Sequence, residues 1–418
     1  MLKHWRNTLL LSAAAILLFG SCKKKSSPDD PLPINYNPSI IIGSNNSIIY
    51  ALDPVTGKRN WEYGLRGTTV TIPIKASPLV YNEMVYVIAV GSDTLYKLNS
   101  KTGALVKKIV IDPSEIQPGP GAYATPVADN GLIYIAGLNS KVYAIDTGTG
   151  KSKWTYNTGD NGDATGIESS PVIHNGKIYF ATKGGWVYCL DKTLGGTLTD
   201  VPFTVTQPIW TLGIAGASFH SSPAIAAPYL YIGSLTDSNM YCIYLDEPTI
   251  PIAHIGIVRW KYKTKGPIMS SPAAYHGRCI FGCNDFAVYC LDTSINPPTK
   301  MSPDSIWIQH TGGRVTSSPY VYNQVVYVGN DNAFIYALNI INGGVKWQFQ
   351  SSGAVISSPL LYNGVVYAAS SDKNLYAIDS AVGTLKWYFA VNGIIECSPA
   401  IDNLTGAQFN SQISGLTN

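Results

Sequence analysis

The sequence predicts an all-β fold, an eight-bladed β-propeller of four-stranded blades, and two observations lead to it. The first is a repeated pattern that opens with Ser-Pro or Thr-Pro and ends with Trp. The prolines of its copies lie at positions 78, 126, 171, 223, 272, 319, 359 and 399, so that successive copies are 40 to 52 residues apart. A repeat of this length is typical of a four-stranded propeller blade.

The second observation is the residue pattern inside each copy. Short segments are rich in β-branched and aromatic residues and alternate between apolar and polar positions, as in Val325-Val326-Tyr327-Val328 and Phe334-Ile335-Tyr336-Ala337. Alternation with a period of two predicts strands, and no long window shows the apolar spacing of a helix.

The first and last copies are incomplete in complementary ways. The first contains Ile40-Ile41-Ile42, Tyr50-Ala51-Leu52-Asp53 and Trp61 but no preceding Ser-Pro strand, whereas the last begins at Ser398-Pro399 and never reaches a Trp. If the C-terminal strand pairs with the N-terminal strands, the two fragments form one blade and the ring closes without exposed sheet edges. We therefore predict seven continuous blades and one composite blade.

Two further repeat positions are predicted to be structural. A Trp occurs in seven of the eight blades, and Lys107-Lys108-Ile109 occupies its place in the second. We expect each Trp ring to be buried between neighbouring blades while its N–H reaches a partner at the sheet edge. An Asp or Asn precedes a turn in each blade and can accept its N–H groups. Eight equivalent acidic positions are poor candidates for one catalytic site; they are Asp53, Asn99, Asp146, Asp191, Asp246, Asp292, Asn339 and Asp379.

The N-terminus predicts a lipoprotein. Lys3 and Arg6 precede an apolar run from Leu9 to Phe19 that is too short to span a bilayer, and Gly20-Ser21-Cys22 follows. Phe19-Gly20-Ser21-Cys22 resembles the lipobox of bacterial lipoproteins, which predicts lipidation of Cys22. The alternative is secretory cleavage near Ser21 that leaves Cys22 as a free thiol.

This reading divides the chain into a signal peptide (1–21), a lipidated flexible tether (22–38) and the propeller (39–418). Position 23 is Lys rather than Asp, unlike lipoproteins retained in the inner membrane, so we expect a lipid anchor in the outer membrane, on its periplasmic face or at the cell surface. The net charge is only +3, so the composition does not indicate a basic surface for binding nucleic acid. We expect a monomer without a second domain.

Six cysteines follow Cys22. Cys279 and Cys290 would face each other, and form a disulfide, if their hairpin turn centres on Asn284-Asp285. A three-residue turn would shift the register by one residue and separate them, leaving buried thiols.

The residues three positions before each proline form the candidate binding site. Each precedes the innermost strand of its blade, so we expect the set to circle the mouth of the central channel. Unlike the repeat positions, these residues differ in chemical type and could together bind a polar ligand, a cation or a peptide side chain. The alternative is a solvated funnel without a ligand. The set consists of Lys75, Tyr123, Glu168, His220, Met269, Thr316, Ile356 and Glu396.

A second irregularity lies in three consecutive blades. The segments Asp191 to Trp210, Asp246 to Trp260 and Asp292 to Trp307 span 19, 14 and 15 positions, against 8 for Asp53 to Trp61. We expect these insertions to cluster on the rim opposite the funnel. They contain apolar, Pro-rich stretches that suit partner binding, although tolerated drift in surface loops explains them equally well.

The repeat resembles that of quinoprotein-type (PQQ-like) β-propellers over residues 40 to 401. Its clearest copy runs Ser358-Pro359, Val365-Val366-Tyr367, Tyr376-Ala377-Ile378-Asp379, Gly383 and Trp387. The family includes dehydrogenases of alcohols and sugars that depend on pyrroloquinoline quinone with Ca²⁺, and cofactor-free BamB-like lipoproteins of outer-membrane β-barrel assembly. The sequence has neither adjacent cysteines nor a Cys-x-x-Cys-His haem motif, which favours the second branch.

The resemblance therefore implies a non-enzymatic lipoprotein of the outer membrane that acts as a platform for envelope proteins or peptides. A quinone-dependent dehydrogenase and a surface propeller that binds glycan or peptide through the funnel are the alternatives. One His and two carboxylates without a spacing motif do not predict a metal site. We assign no catalytic, cofactor-binding or metal-ligating residue.

Overall fold

The strands of the chain form eight sheets, which confirms the all-β prediction and the count of blades. The computed structural model describes residues 38–65, 71–112, 123–193, 203–205, 207–247, 249–294 and 302–402. The predicted signal peptide and all but the last residue of the predicted tether therefore lie outside the described residues. Two short 3-10 helices, Thr158–Asn161 and Ile252–His254, interrupt the loops.

The strands are numbered in chain order, and each blade is given from its innermost to its outermost strand. The composite blade 1 consists of β33 (Ala400–Asp402), β1 (Ser39–Gly43), β2 (Ile48–Leu52) and β3 (Arg59–Gly64). Blade 2 consists of β4 (Leu79–Tyr81), β5 (Met84–Ile88), β6 (Thr94–Asn99) and β7 (Leu105–Val110). Blade 3 consists of β8 (Val127–Asp129), β9 (Leu132–Ala136), β10 (Lys141–Asp146) and β11 (Ser152–Asn157). Blade 4 consists of β12 (Val172–His174), β13 (Lys177–Ala181), β14 (Trp186–Asp191) and β16 (Trp210–Gly213).

The remaining blades are continuous in sequence. Blade 5 consists of β17 (Ala224–Ala226), β18 (Tyr229–Gly233), β19 (Asn239–Tyr244) and β20 (Val258–Lys263). Blade 6 consists of β21 (Ala273–Tyr275), β22 (Arg278–Cys283), β23 (Ala287–Asp292) and β24 (Ser305–His310). Blade 7 consists of β25 (Tyr320–Tyr322), β26 (Val325–Gly329), β27 (Phe334–Asn339) and β28 (Val345–Gln350). Blade 8 consists of β29 (Leu360–Tyr362), β30 (Val365–Ala369), β31 (Asn374–Asp379) and β32 (Leu385–Ala390). A further strand, β15 (Phe203–Val205), pairs in parallel with β11 at the outer edge of blade 3.

The predicted closure of the ring is confirmed. The C-terminal β33 pairs antiparallel with β1, with Ile401 opposite Ile40. The innermost strands then contact each other from β33 through β4, β8, β12, β17, β21 and β25 to β29. Buried apolar clusters lie between neighbouring blades, as in the cluster that joins Ile40 and Tyr50 of blade 1 to Tyr367 and Leu375 of blade 8.

The residue before each repeat proline belongs to a hydrogen-bonded belt around the channel. Proline restricts the preceding residue to extended backbone, and seven of these eight residues donate their N–H to the hydroxyl of the next blade at 2.8 to 3.0 Å. We call the set the serine belt; its members, each donating to the next, are Thr125, Ser170, Ser222, Ser271, Ser318, Ser358, Ser398 and Ser77. The junction from Ser77 to Thr125 lacks this bond, because the buried Thr125 Oγ1 has no hydrogen-bond partner.

Trp residues of the repeat join neighbouring blades at the other end of the strands. Trp61 Nε1 donates to the Ser100 carbonyl of blade 2 at 2.7 Å, and its ring packs on Gly103, where a Cβ would lie 2.5 Å from a ring carbon. Equivalent indole bonds cross to the next blade from Trp154, Trp307, Trp347 and Trp387. The predicted role of the Trp is confirmed for these five residues, whereas Trp210 Nε1 is buried without a partner. In blade 2 the side chain of Lys107 takes this place, against Gly150 of blade 3.

The acidic residue at the end of the third strand caps the following turn, as predicted. Asp53 Oδ1 accepts N–H bonds from Val55 at 2.9 Å and from Thr56 at 2.7 Å. Turn N–H groups bond in the same way to the side chains of Asn99, Asp146, Asp191, Asp292, Asn339 and Asp379. These carboxylate and amide oxygens accept hydrogen bonds within the turns, as expected of a structural position.

Of the two turn lengths considered for the hairpin between Cys279 and Cys290, the structure has the longer one, which separates the two cysteines. The hairpin turn contains three residues, 284 to 286, so Cys279 lies opposite Leu291 and Cys290 opposite Ile280. The two cysteines therefore occupy opposite faces of the hairpin. All six cysteines of the described residues are free and buried.

The serine belt yields a test with a matched control inside the chain. Ser318→Ala removes the acceptor of the buried Ser271 N–H and should lower the free energy of unfolding by about 1–3 kcal/mol, the cost of an unsatisfied buried donor. Thr125→Val removes a buried hydroxyl that has no partner and should be close to neutral. Urea denaturation of both variants measures the difference. Equal destabilisation by the two substitutions would contradict the belt's role.

Candidate functional site

The candidate ring residues surround one cavity in the middle of the propeller. All eight, from Lys75 to Glu396, line a space of about 240 Å³, with the serine belt beneath them. The placement follows from the topology, because each residue enters an innermost strand and these strands circle the channel. We call this space the funnel.

The funnel has a polar side and a more apolar side. In blade order, Glu396, Lys75, Tyr123, Glu168 and His220 occupy consecutive positions. The remaining arc, from Met269 through Thr316 to Ile356, closes the circle. Tyr123 and Met269 have exposed side chains, whereas the Thr316 hydroxyl oxygen is buried without a partner.

The first ion pair of the funnel joins blades 1 and 2. Lys75 Nζ lies 3.0 Å from Glu396 Oε2 and 5.4 Å from the centre of the Tyr123 ring. Burial lowers the pKa of Lys75, but the hydrogen bond to Glu396 and the nearby negative charges together outweigh it and raise this pKa. Asn45 Nδ2 also donates to Glu396 Oε2, at 3.2 Å.

The second ion pair joins blades 4 and 5 across the funnel wall. His220 Nδ1 lies 2.7 Å from Glu168 Oε2, and Lys183 Nζ lies 3.4 Å from Glu168 Oε1. The hydrogen bond to His220 is the main reason why the pKa of Glu168 is lowered, with the charges of His220 and Lys183 adding to it against the opposing effect of burial.

Sequence reasoning missed two residues of the site. Asn45 and Lys183 lie in turns that join the second and third strands of blades 1 and 4, not at the position three before a proline. The topology could have predicted both residues. In an up-and-down blade, the turn between the second and third strands emerges on the same face as the entry to the innermost strand. Each of these turns therefore reaches a funnel residue.

The charges of the funnel compensate each other. Each of Glu168 and Glu396 contacts two donors, and among the described residues no group of three or more His, Cys, Asp and Glu could hold a metal ion. The thiol beside the ring belongs to Cys397, and burial raises its pKa to about 12. Because only a thiolate is an effective nucleophile, this sulfur is inert at neutral pH.

The funnel does not match the charge of pyrroloquinoline quinone. That cofactor is a tricarboxylate, so it needs uncompensated cations, and the lining contains no Arg. Lys75 and His220 already pair with the two carboxylates of the ring. Binding of the quinone would place further negative charges beside Glu168 and Glu396, so the residues present do not fit it.

A second surface lies at the opposite end of the strands. The insertion that follows Asp246 forms a cleft of about 420 Å³ with the first hairpin of blade 4. Its lining combines charged and apolar side chains, namely Asn175, Lys177, Asp246, Glu247, Ile250, Ile252 and Ile255. Of the other predicted apolar stretches, Ile209 is exposed, whereas Thr206 and Asn296-Pro297-Pro298 lie outside the described residues.

The fold and site define an eight-bladed β-propeller with a charge-compensated central funnel. Residues 6–249 and 299–407 match the model of the family "outer membrane protein assembly factor BamB". Because the match covers most of the sequence, the chain belongs to this BamB-like, PQQ-type propeller family.

Solved structures show the same fold. BamB from Moraxella catarrhalis is 16% identical, with a TM-score of 0.59 over 81% of this chain and 89% of that one. The computationally designed protein Ika8 is 11% identical, with a TM-score of 0.58 over 81% of this chain and 95% of that one. No curated protein matches the sequence significantly. In the described part of the chain, no helix has the length and hydropathy needed to cross a bilayer.

The pKa of Glu168 predicts how its ion pair contributes to stability. A lowered folded-state pKa stabilises the fold fully above the ordinary value of 4.5 and loses that contribution as pH falls through the lowered pKa. Glu168→Gln should therefore reduce stability at pH 7 by about 1 kcal/mol, an effect that fades in acid. The control is Glu62→Gln, which removes an exposed pair with Arg59. The measurement is the urea midpoint of each variant between pH 3 and 7, at about one-unit steps. The same dependence of the midpoint on pH in both variants would contradict a stabilising ion pair at Glu168.

Proposed function

We propose that the chain is a non-enzymatic lipoprotein, anchored in the outer membrane through Cys22, that serves as a binding or scaffolding platform for envelope proteins. Membership of the BamB-like family supports this role. The compensated charges of the funnel and the raised pKa of the Cys397 thiol also favour binding over catalysis.

The cleft between blades 4 and 5 is the observation that carries the proposal. His174 Nε2 lies 2.8 Å from Glu247 Oε1, and Lys177 Nζ lies 2.9 Å from Asp246 Oδ2. These pairs hold the insertion of blade 5 against blade 4. A loop that is fixed before binding loses little conformational entropy when a partner docks.

The same insertion presents an apolar side chain to solvent. Ile252 begins a 3-10 helix directly after Pro251 and is 88% exposed. An exposed apolar residue bordered by charged side chains matches the apolar core and polar rim of a protein interface. We propose that this cleft docks an envelope protein.

The funnel is a second, narrower binding site in this proposal. Its volume suits one side chain or a small polar group rather than a folded segment. Lys75, Tyr123, Glu168, His220 and Glu396 offer donors and acceptors to such a group, while Met269, Thr316 and Ile356 contact its less polar part. We propose that it receives a polar group of the bound protein.

Photo-crosslinking in intact envelopes tests the platform role. A photoreactive residue in place of Ile252 should capture specific envelope proteins, identified by mass spectrometry. The control places the same residue at Val110, which is also exposed but lies at the end of an outer strand. Capture of the same set of proteins at both positions, or at neither, would contradict a specific docking cleft.

The alternative enzyme is tested on the same preparation. Dye-linked oxidation of alcohols or sugars after addition of pyrroloquinoline quinone and Ca²⁺ should be absent. Quinone-dependent turnover together with no crosslinked partner would overturn the proposed function.

A further inference from the structure

Three equivalent turns on the face opposite the funnel carry exposed apolar side chains. Val55, Ile341 and Val382 lie between the third and fourth strands of blades 1, 7 and 8, and are 80%, 57% and 64% exposed. The corresponding turn of blade 3 contains Gly148 and Thr149 instead. The apolar character is thus a property of one arc of the rim, not of the repeat.

The three turns are neighbours. Gly57 in the turn of blade 1 packs on Trp387 of blade 8, and Gly383 in the turn of blade 8 packs on Trp347 of blade 7. Val345 and Leu385, at the starts of the fourth strands that follow two of these turns, are also exposed.

The same arc continues into blade 2. There Leu105 and Val106 open the fourth strand with exposed side chains. Single exposed apolar residues need no explanation, whereas a run of them along consecutive blades marks an interaction surface. We call this run, from blade 7 through blades 8 and 1 to blade 2, the apolar rim.

Basic residues flank the apolar rim. Lys58 and Arg59 follow Val55, and Lys346 and Lys386 stand beside Val345 and Leu385, all on the exposed surface. Lys386 also contacts Asp379 at 3.0 Å. Apolar side chains bordered by Lys and Arg are the combination that binds the headgroup region of an anionic bilayer.

The polypeptide enters the propeller at this rim. Ser39 opens β1 at the end where Ile40 pairs with Leu52, the residue before the turn that contains Val55. Asn60 Nδ2 holds Ser39 Oγ at 2.9 Å. The seventeen residues from Cys22 to Pro38 reach at most about 55 Å, so an acyl group on Cys22 would keep the apolar rim near the bilayer.

We propose that the apolar rim is a membrane-binding edge. Its side chains insert into the headgroup region of the bilayer that holds the anchor, and its lysines and arginine contact anionic lipid. The propeller then stands on blades 7, 8, 1 and 2, and the cleft of blades 4 and 5, on the other side of the ring, is turned away from the membrane. The position near the bilayer rests on the lipid anchor of the proposed function.

Depth-dependent quenching tests the edge directly. The six cysteines of the described residues are buried, so an introduced surface cysteine can be labelled selectively with an environment-sensitive fluorophore. Val55→Cys and Val382→Cys probe the edge. Gly148→Cys is the control, because Gly148 occupies in blade 3 the position of Val55 and has an exposed side.

The labelled full chain is bound to vesicles of phosphatidylethanolamine and phosphatidylglycerol with brominated acyl chains. Quenching at positions 55 and 382 should exceed that at position 148 by about threefold or more, because interfacial side chains enter the bilayer only to the headgroup boundary. Equal quenching at the three positions, or none at any of them, would overturn the membrane-binding edge. If the rim instead binds a protein partner, we expect no quenching at any of the three positions.

The mass of the N-terminal peptide shows whether Cys22 is acylated. It therefore separates the test of the membrane-binding edge from the test of the lipid anchor. If the mass shows no acyl group on Cys22, the labelling is repeated with Cys22→Ser, which leaves no thiol in the tether; a quenching contrast there would support the edge and remove the anchor. An acylated chain without the contrast would support the anchor and overturn the edge.

Discussion

The serine belt is the interaction on which the rest of the molecule depends. Eight sheets can surround a channel only if their innermost strands lie at a constant distance and angle, and at seven of the eight junctions a hydrogen bond from a belt N–H to the next hydroxyl sets both. The bond at Ser318, which accepts from Ser271 and donates to Ser358, is typical of the belt. Because proline follows each belt residue, the backbone is held extended before the neighbouring blade is reached. The indole bonds at the far end of the strands repeat the same linkage.

In blade 1, where the two ends of the chain meet, a cysteine takes the place of a buried serine of the repeat. Cys397 occupies the position that Ser357 has in blade 8, and its sulfur contacts the Gly43 N–H at 3.1 Å and the Gly43 carbonyl at 3.2 Å. Ser357 makes the equivalent pair of contacts with Ala369. A thiol can replace a hydroxyl here because the site is fully buried and small. The contact ties residues from the two ends of the chain into one sheet.

The repeat made most of the fold predictable. Its period, its tryptophans and its turn Asp and Asn residues reflect contacts that recur in most blades, so one copy explains the others. The position of the ring residues was predictable for the same reason. The ion partners Lys183 and Asn45 were not, because they come from turns outside the aligned position. The sequence left the Cys279–Cys290 pairing undecided because hairpin turns of two and three residues look alike in sequence, and one residue reverses the face of every side chain.

Function lies where the copies differ. The funnel residues, the blade 5 insertion and the apolar rim all occupy positions outside the serine belt and the repeated Trp contacts, so they can vary without loss of those repeated contacts. In the proposed arrangement the apolar rim faces the bilayer and the cleft of blades 4 and 5 faces a partner protein. Such a division requires a rigid ring, since a propeller that opened at the junction of its two ends would move these surfaces relative to each other.

Hydrogen exchange of the full chain measures that rigidity most directly. If the ring is closed as described, the amides of β33 and β1, which pair at Ile401 and Ile40, should exchange only through the global unfolding that exposes the strands of blade 7. Exchange of β33 and β1 through a separate opening of lower free energy would contradict a closed and cooperative ring.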